Sequence, residues 1–112
     1  MHELAIAQGI VETVRERIPE ATVTTVRLAV GRLSGVCVDS VRFCFELAAE
    51  GTNLAGASLV VEEPAGRMLC SLCGAEFDCD HLYGACACGN ADLEAVAGTE
   101  LLIRSVEVRK DV

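Results

Sequence analysis

The sequence predicts an α+β fold of two helices and three strands, with a cysteine-rich insert before the last strand. Three observations carry this expectation. Apolar residues recur at helical spacing in two segments. They alternate or cluster at strand spacing in three others. Between residues 68 and 90 they give way to a stretch holding five of the seven cysteines.

The first helix rests on Leu4, Ala7, Val11, Val14 and Ile18, a 3-4-3-4 stripe thickened by Ile6 and Ile10. Glu12, Arg15, Glu16 and Arg17 fall between them, and Pro19 ends the pattern, so the helix begins almost at residue 1. TVTTVRLAV (22–30) alternates, with Val26, Leu28 and Val30 on one face, and stops at Gly31. Asp39 can cap a second helix in which Val41, Cys44, Phe45 and Ala48 share a face; it ends before Gly51. SLVVEE (58–63), closed by Pro64, and ELLIRSVEV (100–108) supply the remaining strands. This organisation puts an α+β domain at 1–66 and 92–112 and an insert at 67–91.

At 112 residues the chain is one compact unit, or a small unit carrying a smaller one. The hydrophobic fraction is 52% with no tryptophan, so the core is expected to be aliphatic. A net charge of −8 argues against a nucleic-acid partner, since phosphate contacts need a basic face. The start MHELAIAQGIVETVRERI lacks a positive leading region and a cleavage site, and no apolar run approaches membrane-spanning length. A soluble, cytoplasmic protein is expected. In a reducing compartment, an odd set of seven cysteines reads as metal ligands and core thiols rather than a disulfide framework.

The insert has too few aliphatic residues for a core of its own. Cys70-Ser71-Leu72-Cys73-Gly74 is a knuckle, two thiols two residues apart followed by a glycine for the turn. Ala85-Cys86-Ala87-Cys88-Gly89 follows, with alanine where a C-x-x-C pair would begin and a tighter C-x-C instead. Two such pairs are the signature of a four-cysteine zinc site, in which metal binding supplies folding energy. Cys70, Cys73, Cys88 and Cys86 are the expected ligands. Cys79 and His81, in the intervening loop, are reserves for the fourth position. A redox dithiol is disfavoured because no thioredoxin-like βαβ context surrounds the pair. Cys44 reads as a small buried hydrophobe, and Cys37 as a loop residue without a partner.

Met1-His2-Glu3 admits a second, different metal site. The terminal amine, the His2 amide and the His2 imidazole can chelate one ion in fused rings, with the Glu3 amide or carboxylate completing the set. Such a nitrogen-rich plane suits Ni(II) or Cu(II) rather than zinc. The first N–H groups of a helix have no helical acceptor, so amide deprotonation there breaks no helical bond. The same residues also read as an ordinary helix start with an acidic first turn.

Taken together, MHE, GRLSGV…DSVRFCFELAAEGT, LVVEEPAG before a C-x-x-C insert, and LLIRSVEV resemble the HypA/HybF nickel-incorporation proteins over essentially the whole chain. The resemblance implies two helices on a small three-stranded mixed sheet, with a zinc-ribbon module emerging between the last two strands. It implies a nickel metallochaperone rather than an enzyme, carrying Ni(II) at Met1, His2 and Glu3 and structural Zn(II) at Cys70, Cys73, Cys86 and Cys88. It also implies service to [NiFe]-hydrogenase and in some organisms urease. The implied partners are a maturation GTPase and the hydrogenase large-subunit precursor. Exposed strand edges would allow a homodimer. His81, the only other imidazole, is a candidate extra ligand or pH-sensitive gate at the nickel site. Competing expectations are a zinc-ribbon adaptor without nickel delivery and a thiol oxidoreductase using Cys70 and Cys73.

Overall fold

The computed structural model describes residues 2–81 and 84–109. They form two compact units: residues 2–28, 36–61 and 102–109 make the first, and residues 29–35 with 62–81 and 84–101 the second.

In the first unit, helix α1 (Glu3–Arg17) packs against helix α2 (Val38–Ala49). Strands β1 (Thr22–Val30), β2 (Ser58–Glu62) and β6 (Leu101–Arg109) form a mixed sheet in the order β2-β1-β6. The expected α+β arrangement is therefore present. Its core takes Ala7, Ile10, Val11 and Val14 from α1, Val23, Val26 and Leu28 from β1, and Val41, Phe45 and Ala49 from α2. Two details differ from expectation. Leu4 is 47% exposed, so the α1 core stripe starts one turn later, at Ala7. Cys37, not Asp39, occupies the cap position of α2. Asp39 sits in the first turn, where its carboxylate faces the positive end of the helix.

Asn53 fixes the exit from α1. Its side-chain amide donates to Ile18 O (2.6 Å) and Ala21 O (2.9 Å), while its own carbonyl accepts from Val23 N (2.9 Å). One residue thus satisfies, through its side chain, a carbonyl left over at the helix end and, through its main-chain carbonyl, starts β1. Among the described residues, no helix is long and apolar enough to cross a membrane.

The second unit contains a sheet that the sequence pattern did not announce. Strands β3 (Arg67–Cys70), β4 (Glu76–Asp78) and β5 (Leu93–Ala97) pair antiparallel in the order β4-β3-β5. Met68 and Cys70 point inward, and Met68 lies opposite Phe77 on one side and Ala95 on the other. Arg67 ties its neighbours together through Glu76 (2.9 Å) and Asp78 (2.7 Å). The unit reaches beyond the 67–91 insert. Gly31 N donates to Glu100 O (2.8 Å) and Leu33 N to Gly98 O (2.7 Å), which closes residues 29–35 onto the segment after β5.

Candidate metal centres

The turn after β3 forms the first knuckle. Cys70 N donates to Ala75 O (2.8 Å), and Gly74 N returns to Cys70 O (3.0 Å). Gly74 takes a positive φ, which a residue with a Cβ adopts at a cost. The second knuckle repeats this with one residue fewer. Cys86 N donates to Asn90 O (2.9 Å), and Gly89, again with positive φ, donates to Cys86 O (2.8 Å). The closing bonds therefore move with the shortened C-x-C spacing, and the turn survives the missing residue.

The two turns bring four sulfurs together. Cys70 Sγ lies 3.7 Å from Cys88 Sγ and Cys73 Sγ lies 3.5 Å from Cys86 Sγ. All four lie within 4.8 Å of one another, with Cys70 and Cys86 buried and Cys73 and Cys88 exposed. A tetrahedral ion with Zn–S bonds of about 2.3 Å places its sulfurs about 3.8 Å apart, so the set fits zinc in both chemistry and size. Cys79 and His81 stand outside this cluster. The Cys79 thiol donates to His81 O (2.9 Å).

The cluster is electrostatically uneven. The Cys70 thiol is lowered to about 6 by the Cys73 amide and then by the Asn90 side chain, both donating to its sulfur. Cys86 is pushed up to about 12. The Cys88 amide pulls it down, but the crowded sulfurs of Cys73, Cys88 and Cys70, with burial, outweigh that. A thiolate forms readily at Cys70 and is resisted at Cys86; a bound dication would remove that resistance.

A separate groove lies in the first unit at the start of α1. A cavity of about 550 Å³ is lined by His2, Glu3, Leu4, Asp39, Ser40, Phe43 and Cys44. His2 occupies the cap position of α1 without a side-chain capping bond, and the Ile6 amide is bonded back to His2 O (3.1 Å). The amides of the first turn are thus left without helical acceptors, as the chelate chemistry requires. Met1 lies outside the described residues. Cys44, expected in the core, is half-buried and faces this groove, beside an aromatic ring, Phe43, that is 65% exposed. Cys37 is exposed, and the Ser40 hydroxyl and amide lower its thiol pKa.

Residues 1–108 match the model of a family described as hydrogenase/urease nickel incorporation, metallochaperone, hypA. The chain belongs to the HypA family. A hydrogenase maturation factor HypA of Chlorobaculum tepidum is 46% identical over 112 residues, covering 96% of this chain and 99% of that protein. The corresponding HypA of Nostoc sp. is 40% identical over 110 residues, covering 98% and 97%. The solution structure of the Ni metallochaperone HypA from Helicobacter pylori superposes with a TM-score of 0.65 at 20% identity, covering 99% of this chain and all of that one. This last likeness is one of fold.

Proposed function

We propose that this HypA protein is a nickel carrier. Met1, His2 and Glu3 bind Ni(II) as cargo, and Cys70, Cys73, Cys86 and Cys88 hold a structural Zn(II). The observation that carries the reading is the pairing of two unlike donor sets. Four convergent sulfurs suit a tetrahedral soft ion. An imidazole and a carboxylate at an uncapped helix start suit a tetragonal one. Zinc, when bound, cross-links the two knuckles and removes the repulsion among their thiolates.

Delivery serves [NiFe]-hydrogenase maturation, with urease as a second recipient, through a maturation GTPase and the large-subunit precursor. The protein acts in the cytoplasm and has no catalytic step of its own. A homodimer would form through the edges of the β2-β1-β6 sheet, where Leu101, Leu102 and Val108 are exposed. The nickel-binding part is assigned to 1–66 and 92–112 and the zinc module to 67–91. A zinc-ribbon adaptor without nickel delivery is the second reading, favoured by Leu72, which stands 78% exposed on the first knuckle.

Nickel titration of zinc-loaded protein separates the two. The native chain is expected to bind one Ni(II), and a variant with one glycine added before Met1 to bind much more weakly. Equal binding by both would reduce the terminus to a helix start.

A further inference from the structure

We infer that Asn90 is the positioning residue of the four-sulfur site, the cross-brace that holds the shortened second knuckle against the first. The inference rests on the zinc reading above and concerns a residue that is not itself a ligand.

Asn90 is engaged at three points. Its main-chain carbonyl accepts from Cys86 N (2.9 Å) and closes the second knuckle. Its side-chain Oδ1 accepts from Asp92 N (3.1 Å), an Asx turn that fixes the residue's own rotamer. Its side-chain Nδ2 faces three acceptors: Asp92 O at 2.9 Å, Ser71 Oγ at 3.3 Å and Cys70 Sγ at 3.4 Å. An amide nitrogen carries only two hydrogens. Asp92 O takes one at the shortest distance, and Ser71 Oγ and Cys70 Sγ share the other. Ser71 presents a lone pair because its own hydroxyl donates to Asp92 O (3.1 Å).

The physical consequence follows from this geometry. An N–H donated to a thiolate withdraws charge from the sulfur and fixes its direction, which is how partners behind the ligands tune a metal site. Here the donor to a first-knuckle sulfur belongs to the residue whose carbonyl closes the second knuckle. The distance between the knuckles, and hence the S···S edges of 3.5 and 3.7 Å, is tied to one side chain. In the four-residue C-x-C-G turn the closing carbonyl falls on residue 90 itself, so the one-residue contraction and the brace meet at the same position.

The test uses the full-length chain with Co(II) and Zn(II) as probes. Asn90→Asp keeps the backbone carbonyl and the Oδ1 acceptor but removes the N–H donor and sets a negative oxygen beside Cys70. Asn90→Ala removes the Asx turn as well. Ser71→Ala leaves the Asn90–Cys70 contact in place. Zinc affinity is read by competition with a chromogenic chelator. Site geometry is read from the charge-transfer and d–d absorption of the Co(II) form, and helix content by circular dichroism confirms folding. Asn90→Asp is expected to weaken zinc about 10–100-fold, the usual range for such partners. Its Co(II) d–d bands should shift, while Ser71→Ala stays near the native chain. Native affinity and an unshifted Co(II) spectrum in Asn90→Asp would overturn the inference even if Asn90→Ala is weakened, because the turn alone would then explain the residue. Failure of the unmodified chain to show thiolate-to-Co(II) absorption would overturn the zinc reading and this inference together.

Discussion

Replacing Cys86 by alanine tests whether the C-x-C pair supplies two ligands or one. Cys86 Sγ is buried and 3.5 Å from Cys73 Sγ, whereas the reserve thiol, Cys79, is turned to His81 O. Structural zinc sites bind with about 10–16 kcal/mol, so an equal share is roughly 2.5–4 kcal/mol per thiolate. At about 1.4 kcal/mol per tenfold, Cys86→Ala should weaken zinc by about two to three orders of magnitude. Cys79→Ala, measured in parallel by chelator competition, should leave zinc affinity unchanged. Thermal unfolding supplies a second readout, because zinc at a hundred times its dissociation constant stabilises the native state by about 2.7 kcal/mol. That zinc-dependent rise should survive in Cys79→Ala and largely vanish in Cys86→Ala at equal metal. Equal losses in the two variants, or none in Cys86→Ala, would refute the assignment and return the fourth ligand to the loop.

Asn53→Ala should cost about 1–3 kcal/mol in urea unfolding, since it leaves the half-buried carbonyls of Ile18 and Ala21 without their donor. Two glycine substitutions should differ in sign. Gly31→Ala drives a Cβ into the backbone carbonyl of Gly98 and should destabilise by about 1–3 kcal/mol, the usual cost of overpacking. Gly9→Ala, inside α1 with open space around it, should stabilise by roughly 0.5–1 kcal/mol. The metal-free, reduced chain should respond to pH through its thiols. The folded Cys70 value of about 6 lies below the ordinary 9.0, so the unfolded chain binds more protons between them and stability should rise with pH over that window. Cys86, raised to about 12, works oppositely: its contribution is complete below pH 9 and is lost as pH climbs toward 12. Denaturant midpoints across pH 6–12, with chelator and reductant, would check both directions.

The elements with room for several periods were legible in the sequence. Fifteen residues of α1 and nine of β1 repeat their spacing often enough to fix type and extent, and Pro19 and Gly31 mark their ends. The second sheet was not legible, because strands of three to five residues complete too few alternations. Burial there falls on Met68 and Cys70, and a cysteine is read first as a ligand. The four clustered thiols were visible as two knuckles, but that Cys86 rather than Cys79 joins the cluster depends on hydrogen bonds that spacing does not encode. Asn53 and Asn90 were invisible for a related reason. Each looks like any turn asparagine, and its importance lies in which distant carbonyl or sulfur its amide meets. Cys44 fitted the inward stripe of α2 by position, yet α2 presents it toward the start of α1 instead.

The shorter second knuckle shows how little the count of residues between two thiols decides. Two turns of different length, Cys70–Ala75 and Cys86–Asn90, each close by an amide-to-carbonyl bond, and each turns at a glycine of positive φ. Both bring their thiols into the same cluster, at 3.5 and 3.7 Å from the other turn's. What places the sulfurs is therefore the closed loop of amides rather than the number of residues inside it.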